Sequence, residues 1–309
     1  MRAVVFTKSG GPDVLELREV DRPVPVPTEV LVRVHAAGTN PIEPIIRSGR
    51  FPLIRPPGIL GWDISGVVEE VVPGVTRFRA GDEVFGMPMF PRPASAYAEY
   101  VVAPARQLAR KPPGLDHVHA AALPVAGLTA WQALVEIADV QAGQRVLVHA
   151  AGGGVGHLAV QIAKARGAYV IGTAGADKHR LLRELGIDEV IDHRAVDFTT
   201  VVRDVDVVFE LVGGDYGTRS IGVLRPGGLL ITAVQRTDAE LAALATREGR
   251  RFAGITVEPD YVGLEALAAL VTAGKLRVHV SHTVPLAEAA RAHALLESGS
   301  TAGKIVLAM

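Results

Sequence analysis

The 309-residue chain contains no cysteine. That absence excludes disulfide staples, iron–sulfur clusters, cysteine-ligated zinc and a thiol nucleophile, whatever the compartment. An excess of charge is missing too: 32 basic residues stand against 33 acidic ones, a net charge of −1. Such balance gives no electrostatic reason to expect nucleic acid or an anionic membrane as partner. No run is long and uncharged enough to span a bilayer. The opening Met1–Phe6 stretch meets Gly10-Gly11-Pro12 too soon for a signal peptide. A cytoplasmic protein acting on a small molecule is therefore expected. Internal repeats and low-complexity segments are also lacking. Among ten histidines, none falls in an H-x3-H or H-E-x-x-H arrangement. His35 and His149 fall in predicted strands, as structural residues do, while His117 and His119 lie together beside a loop with no third ligand in view. What remains is a hydrophobic share of 49%, ordinary for a globular protein, over a length that suits two domains of roughly 150 residues each.

The chain changes character about a third of the way along. Up to about residue 120, short β-branched and aromatic runs such as Val30–Val34, Gly66–Val72 and Tyr97–Val102 alternate with proline and glycine clusters. That pattern predicts a compact β-barrel-like domain, with Pro112-Pro113-Gly114 as its exit. From about residue 123, strands and helices alternate: strand Arg145–Ala150, helix Val155–Arg166, strand Tyr169–Thr173, helix Lys178–Leu185, strands at Glu189–Ile191 and Asp206–Leu211, helix Tyr216–Leu224 and strand Leu229–Ala233. Alternation of this kind predicts an α/β, doubly wound parallel sheet of the Rossmann type. Helices at Gly263–Ala273 and Leu286–Glu297 and a strand at Lys304–Leu307 follow.

The strongest chemical signal is a glycine-rich turn between the first of those strands and its helix. It reads Ala151-Gly152-Gly153-Gly154-Val155-Gly156, so the G-x-G-x-x-G spacing is kept with alanine in the first place. Such a turn lets backbone N–H groups and a helix dipole meet a pyrophosphate closely. The second strand ends Gly172-Thr173-Ala174-Gly175-Ala176, without the acid that would bind a free ribose 2′-hydroxyl. Lys178 and Arg194 follow, and two cations beside small residues suit a 2′-phosphate, so NADPH is the expected cofactor. Asp177 lies near the conventional acid position. It is read instead as the N-cap of the helix starting at Lys178.

Taken with the first domain, these residues resemble the medium-chain dehydrogenase/reductase superfamily, in its zinc-independent quinone oxidoreductase branch. The matching stretches are Gly38–Pro41, Gly61–Val68, Gly81–Gly86, Tyr97–Tyr100, Leu123-Pro124, Gly127–Ala130, Ala150–Gly156 and Thr301–Lys304. The resemblance implies a GroES-like β domain over residues 1–122, completed by 263–309, and a Rossmann NADP-binding domain over 123–262. It also implies a homodimer through the edges of the Rossmann sheets. The zinc enzymes of the superfamily carry Gly-His-Glu where this chain has Gly61-Trp62-Asp63, so the ligand histidine is Trp62 and no catalytic metal is expected. Without a Lewis acid, hydride delivery to an already electrophilic, conjugated acceptor is better supported than alcohol oxidation.

By the same resemblance, Asn40 and Thr129 stand beside the nicotinamide. Asn40 would bond a substrate oxygen or the cofactor ribose, or else serve only as the turn residue before Pro41. Ala151, Gly153, Gly154, Val155, Gly156 and Thr173 would line the cofactor, with Lys178 and Arg194 at its phosphate. Val234 and the Gly254-Ile255-Thr256 stretch would contribute backbone contacts at the nicotinamide end. Phe51, Trp62 and Tyr97 are candidates for an acceptor pocket, although ordinary packing accounts for aromatic residues of this kind equally well. Related enoyl thioester reductases place a proton-donating tyrosine where this chain has Phe51, which leaves water or Tyr97 as donor. Three readings follow: a reductase of quinones or other α,β-unsaturated carbonyls, an enoyl thioester reductase of lipid or polyketide metabolism, and a non-catalytic NADPH-binding protein.

Overall fold

A computed structural model describes residues 1–309, which divide into two compact units. The first comprises residues 1–128, 258–272 and 278–309; the second comprises 129–257 and 273–277. The sequence places the boundaries at 122/123 and 262/263; they fall a few residues later and earlier respectively, and a short return of 273–277 to the second unit was not anticipated.

The second unit is a six-stranded parallel sheet ordered Glu189–Asp192, Tyr169–Ala174, Arg145–Val148, Val205–Glu210, Leu224–Thr232, Arg251–Gly254. A parallel sheet must be covered on both faces, and the middles of its central strands are accordingly apolar. Val146, Leu147, Val148, Val208 and Leu230 are all fully buried. The first strand in sequence lies at the centre, so the chain order reverses beside it; this switch point is where such sheets bind ligands. Helix Gly156–Ala165 buries Leu158, Ala159, Ile162 and Ala163, and Gly167 ends it in a left-handed conformation. Two elements escape the sequence reading. Helix Ala239–Arg247 begins at Asp238, whose carboxylate accepts from Leu241 N at 2.9 Å, so a capping signal was present. Strand Arg251–Gly254 is short, half-exposed and without β-branched residues, so it carries little strand signal.

The first unit holds two sheets. Leu15–Glu19, Arg2–Phe6 and Gly58–Ile59 form the smaller. The larger runs Val280–Pro285, Lys304–Ala308, Glu29–Gly38, Asp63–Val71, Glu83–Gly86, Leu108–Arg110, with Tyr100–Pro104 also paired to Glu29–Gly38. Strand Val280–Pro285 was not anticipated, since its alternation is weak and it ends in proline. Register places Gly38 opposite both Asp63 and Val306. Three strands distant in sequence thus meet at one point, where the polar cluster described below is built. Helix His117–Ala121 replaces the expected loop around His117 and His119. Helix Pro124–Trp131 continues into a wider π-helical segment, Gln132–Ile137, in which Ala138 N bonds Ala133 O at 3.0 Å. No helix is long and apolar enough to cross a membrane.

Candidate functional site

In the second unit, strand Arg145–Val148 leads into a turn that closes on itself. Ala150 takes a positive φ of 48°, Gly153 N bonds Ala150 O at 2.8 Å, and Ala151 N bonds Thr173 O at 2.9 Å. Helix Gly156–Ala165 starts so close to the turn that a Cβ on Gly156 would stand 2.3 Å from Ala150 O. Only glycine fits there, as close helix–strand packing at a pyrophosphate turn requires. Alanine in the first place of the motif also has a structural reason. Its Cβ lies 2.7 Å from where a Cβ on Gly172 would be, so the missing side chain of the neighbouring strand makes its room.

The expected phosphate end is assembled around that turn. The Lys178 side chain crosses Gly152, its Cδ 2.7 Å from an imagined Cβ there, and the Arg194 guanidinium carbon lies 3.5 Å from one on Gly175. Burial lowers the Lys178 pKa from its ordinary value; Asp177 opposes this and Arg194 adds to it. Asp177 does not cap the following helix. Residues Ala176–Lys178 form a 3-10 turn with Gly175 at its cap, and helix His179–Glu184 starts from Lys178 with no side-chain cap. The N-cap expectation is therefore corrected: the extra turn moves the helix start two residues past Asp177. Thr173 is buried, its hydroxyl 3.0 Å from His149 Nδ1, while His149 Nε2 lies 3.0 Å from Ser220 Oγ. Burial, then Arg219, pushes the His149 pKa down to about 3, so this ring is a neutral brace beneath the turn.

Two loops at neighbouring strand ends share a brace that sequence reasoning missed. Glu210 accepts from Val212 N and, at 2.6 Å, from Gly213 N, and its other oxygen accepts from Thr232 Oγ1 at 2.8 Å. Thr232 Oγ1 in turn accepts from Val234 N at 3.2 Å and Gln235 N at 3.0 Å. Val234 itself is half-exposed, and Thr256 is exposed just beyond strand Arg251–Gly254. Thr129 is buried on helix Pro124–Trp131.

In the first unit, Asn40 sits in a closed polar cluster with Glu43, Asp63 and Lys304, all nearly inaccessible. Lys304 Nζ donates to Thr39 O (2.8 Å), Asn40 Oδ1 (2.6 Å) and Asp63 Oδ2 (3.2 Å). Asn40 Nδ2 donates to Asp63 Oδ2 (3.0 Å) and Glu43 Oε1 (3.3 Å), and Asn40 N donates to Glu43 Oε2. Asp63 Oδ1 accepts from Val125 N at 2.6 Å, which holds the first turn of helix Pro124–Trp131. Burial raises the Glu43 pKa to about 8, opposed chiefly by Lys304, so Glu43 carries a proton at neutral pH. Asp63 and Lys304 fall within stretches that carry the family resemblance, yet residue type alone assigned them no role.

Of the three pocket candidates, only Phe51 is accessible, at 40%. Trp62 and Tyr97 are fully buried, Trp62 Nε1 donating to Arg92 O at 2.8 Å. The Tyr97 hydroxyl faces His293 Nε2 at 3.2 Å, and His293 Nδ1 faces Arg47 Nη1 at 3.1 Å. Arginine only donates, so His293 Nδ1 accepts and its Nε2–H points to the Tyr97 oxygen. Burial, then Arg47, holds the His293 pKa down at about 3. Burial, with Glu43 and Asp63 nearby, raises the Tyr97 phenol well above its ordinary value. Tyr97 as donor is therefore corrected: it is a core residue with its proton tightly held.

A unit built on a doubly wound sheet with a glycine turn at its switch point, in one chain with a mostly antiparallel β unit, defines a nicotinamide-dependent dehydrogenase of two-unit design. Residues 26–113 match the alcohol dehydrogenase GroES-like domain family, and residues 185–307 the zinc-binding dehydrogenase family. Human quinone oxidoreductase is 34% identical, over 99% of this chain and 97% of its own length. The solved quinone oxidoreductase of Coxiella burnetii superposes with a TM-score of 0.94 at 38% identity, covering 100% of this chain and 99% of that one. The Escherichia coli quinone oxidoreductase solved with NADPH gives 0.91 at 30% identity, covering 100% of both. The chain belongs to the medium-chain dehydrogenase/reductase superfamily, in its quinone oxidoreductase branch. It is an oxidoreductase that uses a nicotinamide cofactor.

Proposed function

We propose that the chain is an NADPH-dependent reductase that delivers hydride, without zinc, to a quinone or another α,β-unsaturated carbonyl. The observation that carries NADPH over NADH is the pair Lys178 and Arg194 beside the acid-free end of strand Tyr169–Ala174. A 2′-phosphate gives the half-buried Lys178 and the exposed Arg194 an anion to meet. The solved relative bound to NADPH supports the same choice.

Zinc independence rests on the donor set. The indole of Trp62 stands where the zinc enzymes have a histidine, and no group of three or more His, Asp or Glu side chains is arranged to hold a metal. Such a site has no Lewis acid for an alkoxide, whereas a conjugated carbonyl is electrophilic already. When bound, the cofactor supplies the hydride; the chain binds, orients and keeps water away. Helix Gly156–Ala165 and its turn receive the pyrophosphate, and the Glu210–Thr232 brace sets the loops bearing Gly213 and Val234. A homodimer belongs to the same reading, since strand Arg251–Gly254 is paired on one side only and leaves a free edge for a second copy.

Replacing Lys178 and Arg194 together by alanine tests the cofactor assignment. Fluorescence titration should show NADPH binding weakened about 10–100-fold and NADH changed far less. Equal losses would sink the 2′-phosphate assignment. Absence of NADPH-dependent turnover across quinones, enones and enals would sink the reductase itself.

A further inference from the structure

Asn40 is the only asparagine in the chain. Its carboxamide has two hydrogens to donate, and both are directed inward, to Asp63 Oδ2 and Glu43 Oε1. Its oxygen accepts from Lys304 Nζ at 2.6 Å. An ammonium group only donates, so it tolerates the oxygen edge of an amide and rejects the nitrogen edge. Lys304 has no slack of its own, because its three hydrogens go to Thr39 O, Asn40 Oδ1 and Asp63 Oδ2. Thr39 is tied down in turn through Oγ1 to Ile305 O at 2.9 Å, next to Lys304 in the chain. A Cβ on Gly38 would stand 2.7 Å from Asp63 Oδ2, so the bare glycine lets the carboxylate reach this point. Asp63 Oδ2 only accepts, so it holds the nitrogen edge of the amide as Lys304 holds the oxygen edge; without the ammonium the amide would be fixed from the nitrogen side alone.

We propose that Lys304 is a positioning residue for hydride transfer: it clamps the Asn40 carboxamide with its hydrogens turned inward, leaving one lone pair of Oδ1 as the group Asn40 offers a ligand. This rests on the reading of Asn40 as a nicotinamide-side residue. The clamped amide is an acceptor, suited to a ribose hydroxyl and unsuited to polarising a substrate carbonyl. A lysine 264 positions away, with the Asp63 carboxylate opposite it, thereby sets which of two roles Asn40 performs.

Because Asn40 stands alone, labelling asparagine side chains with nitrogen-15 gives a single amide pair in the spectrum of the full-length protein. The wild-type pair should exchange slowly with solvent, and Lys304→Met should speed exchange at least tenfold. Turnover of NADPH with 1,4-benzoquinone should fall about tenfold in Lys304→Met. In an Asn40→Ala background, the same substitution should cost no further turnover, because Lys304 acts through Asn40. A merely structural lysine predicts additive losses, and that result overturns the proposal. So does an amide pair whose exchange is unchanged in Lys304→Met. Should Lys304→Met not fold, Lys304→Met with Asp63→Ser removes both charges, adds no second asparagine and is judged by the same exchange measurement. Failure of the functional reading looks different: the wild type itself turns over no quinone, while the exchange rate still shows whether the clamp exists.

Discussion

The two units hold their polar machinery by opposite means. In the second, the cofactor turn is built from backbone and small residues, and its geometry follows from side chains that are missing at Gly156 and Gly172. In the first, Asn40 is held by charged side chains packed out of contact with water. The contrast teaches where each site is fragile. A turn made of backbone is broken by adding an atom, whereas a buried charge cluster is broken by removing one.

The largest effect is expected from Asp63→Ala. It leaves the Lys304 ammonium without its carboxylate and frees Val125 N, and breaking a buried pair in this way costs about 3–5 kcal/mol. Chemical denaturation checks it; a loss below about 1 kcal/mol, the range of exposed pairs, would mean that water screens the cluster. A smaller effect, visible as pH dependence, is expected at Glu43. Its folded pKa of about 8 lies above the ordinary 4.5, so the folded state holds the proton more tightly. That contribution is complete below about pH 4.5, declines as pH rises and is gone above about pH 8. Denaturation midpoints measured across the window should therefore fall with pH more steeply in the wild type than in Glu43→Gln, by up to a few kcal/mol. Parallel curves would show that Glu43 is ionised in the folded protein. The smallest effect sharpens the other side of the comparison. In Gly172→Ala the new Cβ meets Ala151 Cβ at 2.7 Å and Ile187 Cδ1 at 2.6 Å, and overpacking of this kind costs about 1–3 kcal/mol. Adding Ala151→Gly should restore part of the melting temperature, since it removes one of the two clashes. No recovery would place the strain at Ile187 alone.

Much of the second unit was legible because its signals are local. The apolar strand, the glycine turn and the amphipathic helix occupy consecutive residues from Arg145 to Ala165. Errors arose where local rules compete, as at Asp177, where a 3-10 turn took the place of a helix start. Tyr97 failed as a donor for a different reason. Its chain position between Ala96 and Ala98 says nothing of His293, which lies 196 residues away and faces its hydroxyl. Asp63 and Lys304 were present in motif-bearing stretches, but their pairing joins positions 241 apart.

The sequence by itself determined the alternation of strand and helix, the phosphate turn, the absence of a thiol and the superfamily. Each depends on residue type at short spacing, which chain stereochemistry converts directly into local structure. Tertiary structure alone decided which charges meet, which hydroxyls are committed and which way the Asn40 amide faces. Those outcomes depend on register among strands distant in sequence, and on burial, which turns a weak exposed charge pair into a decisive one.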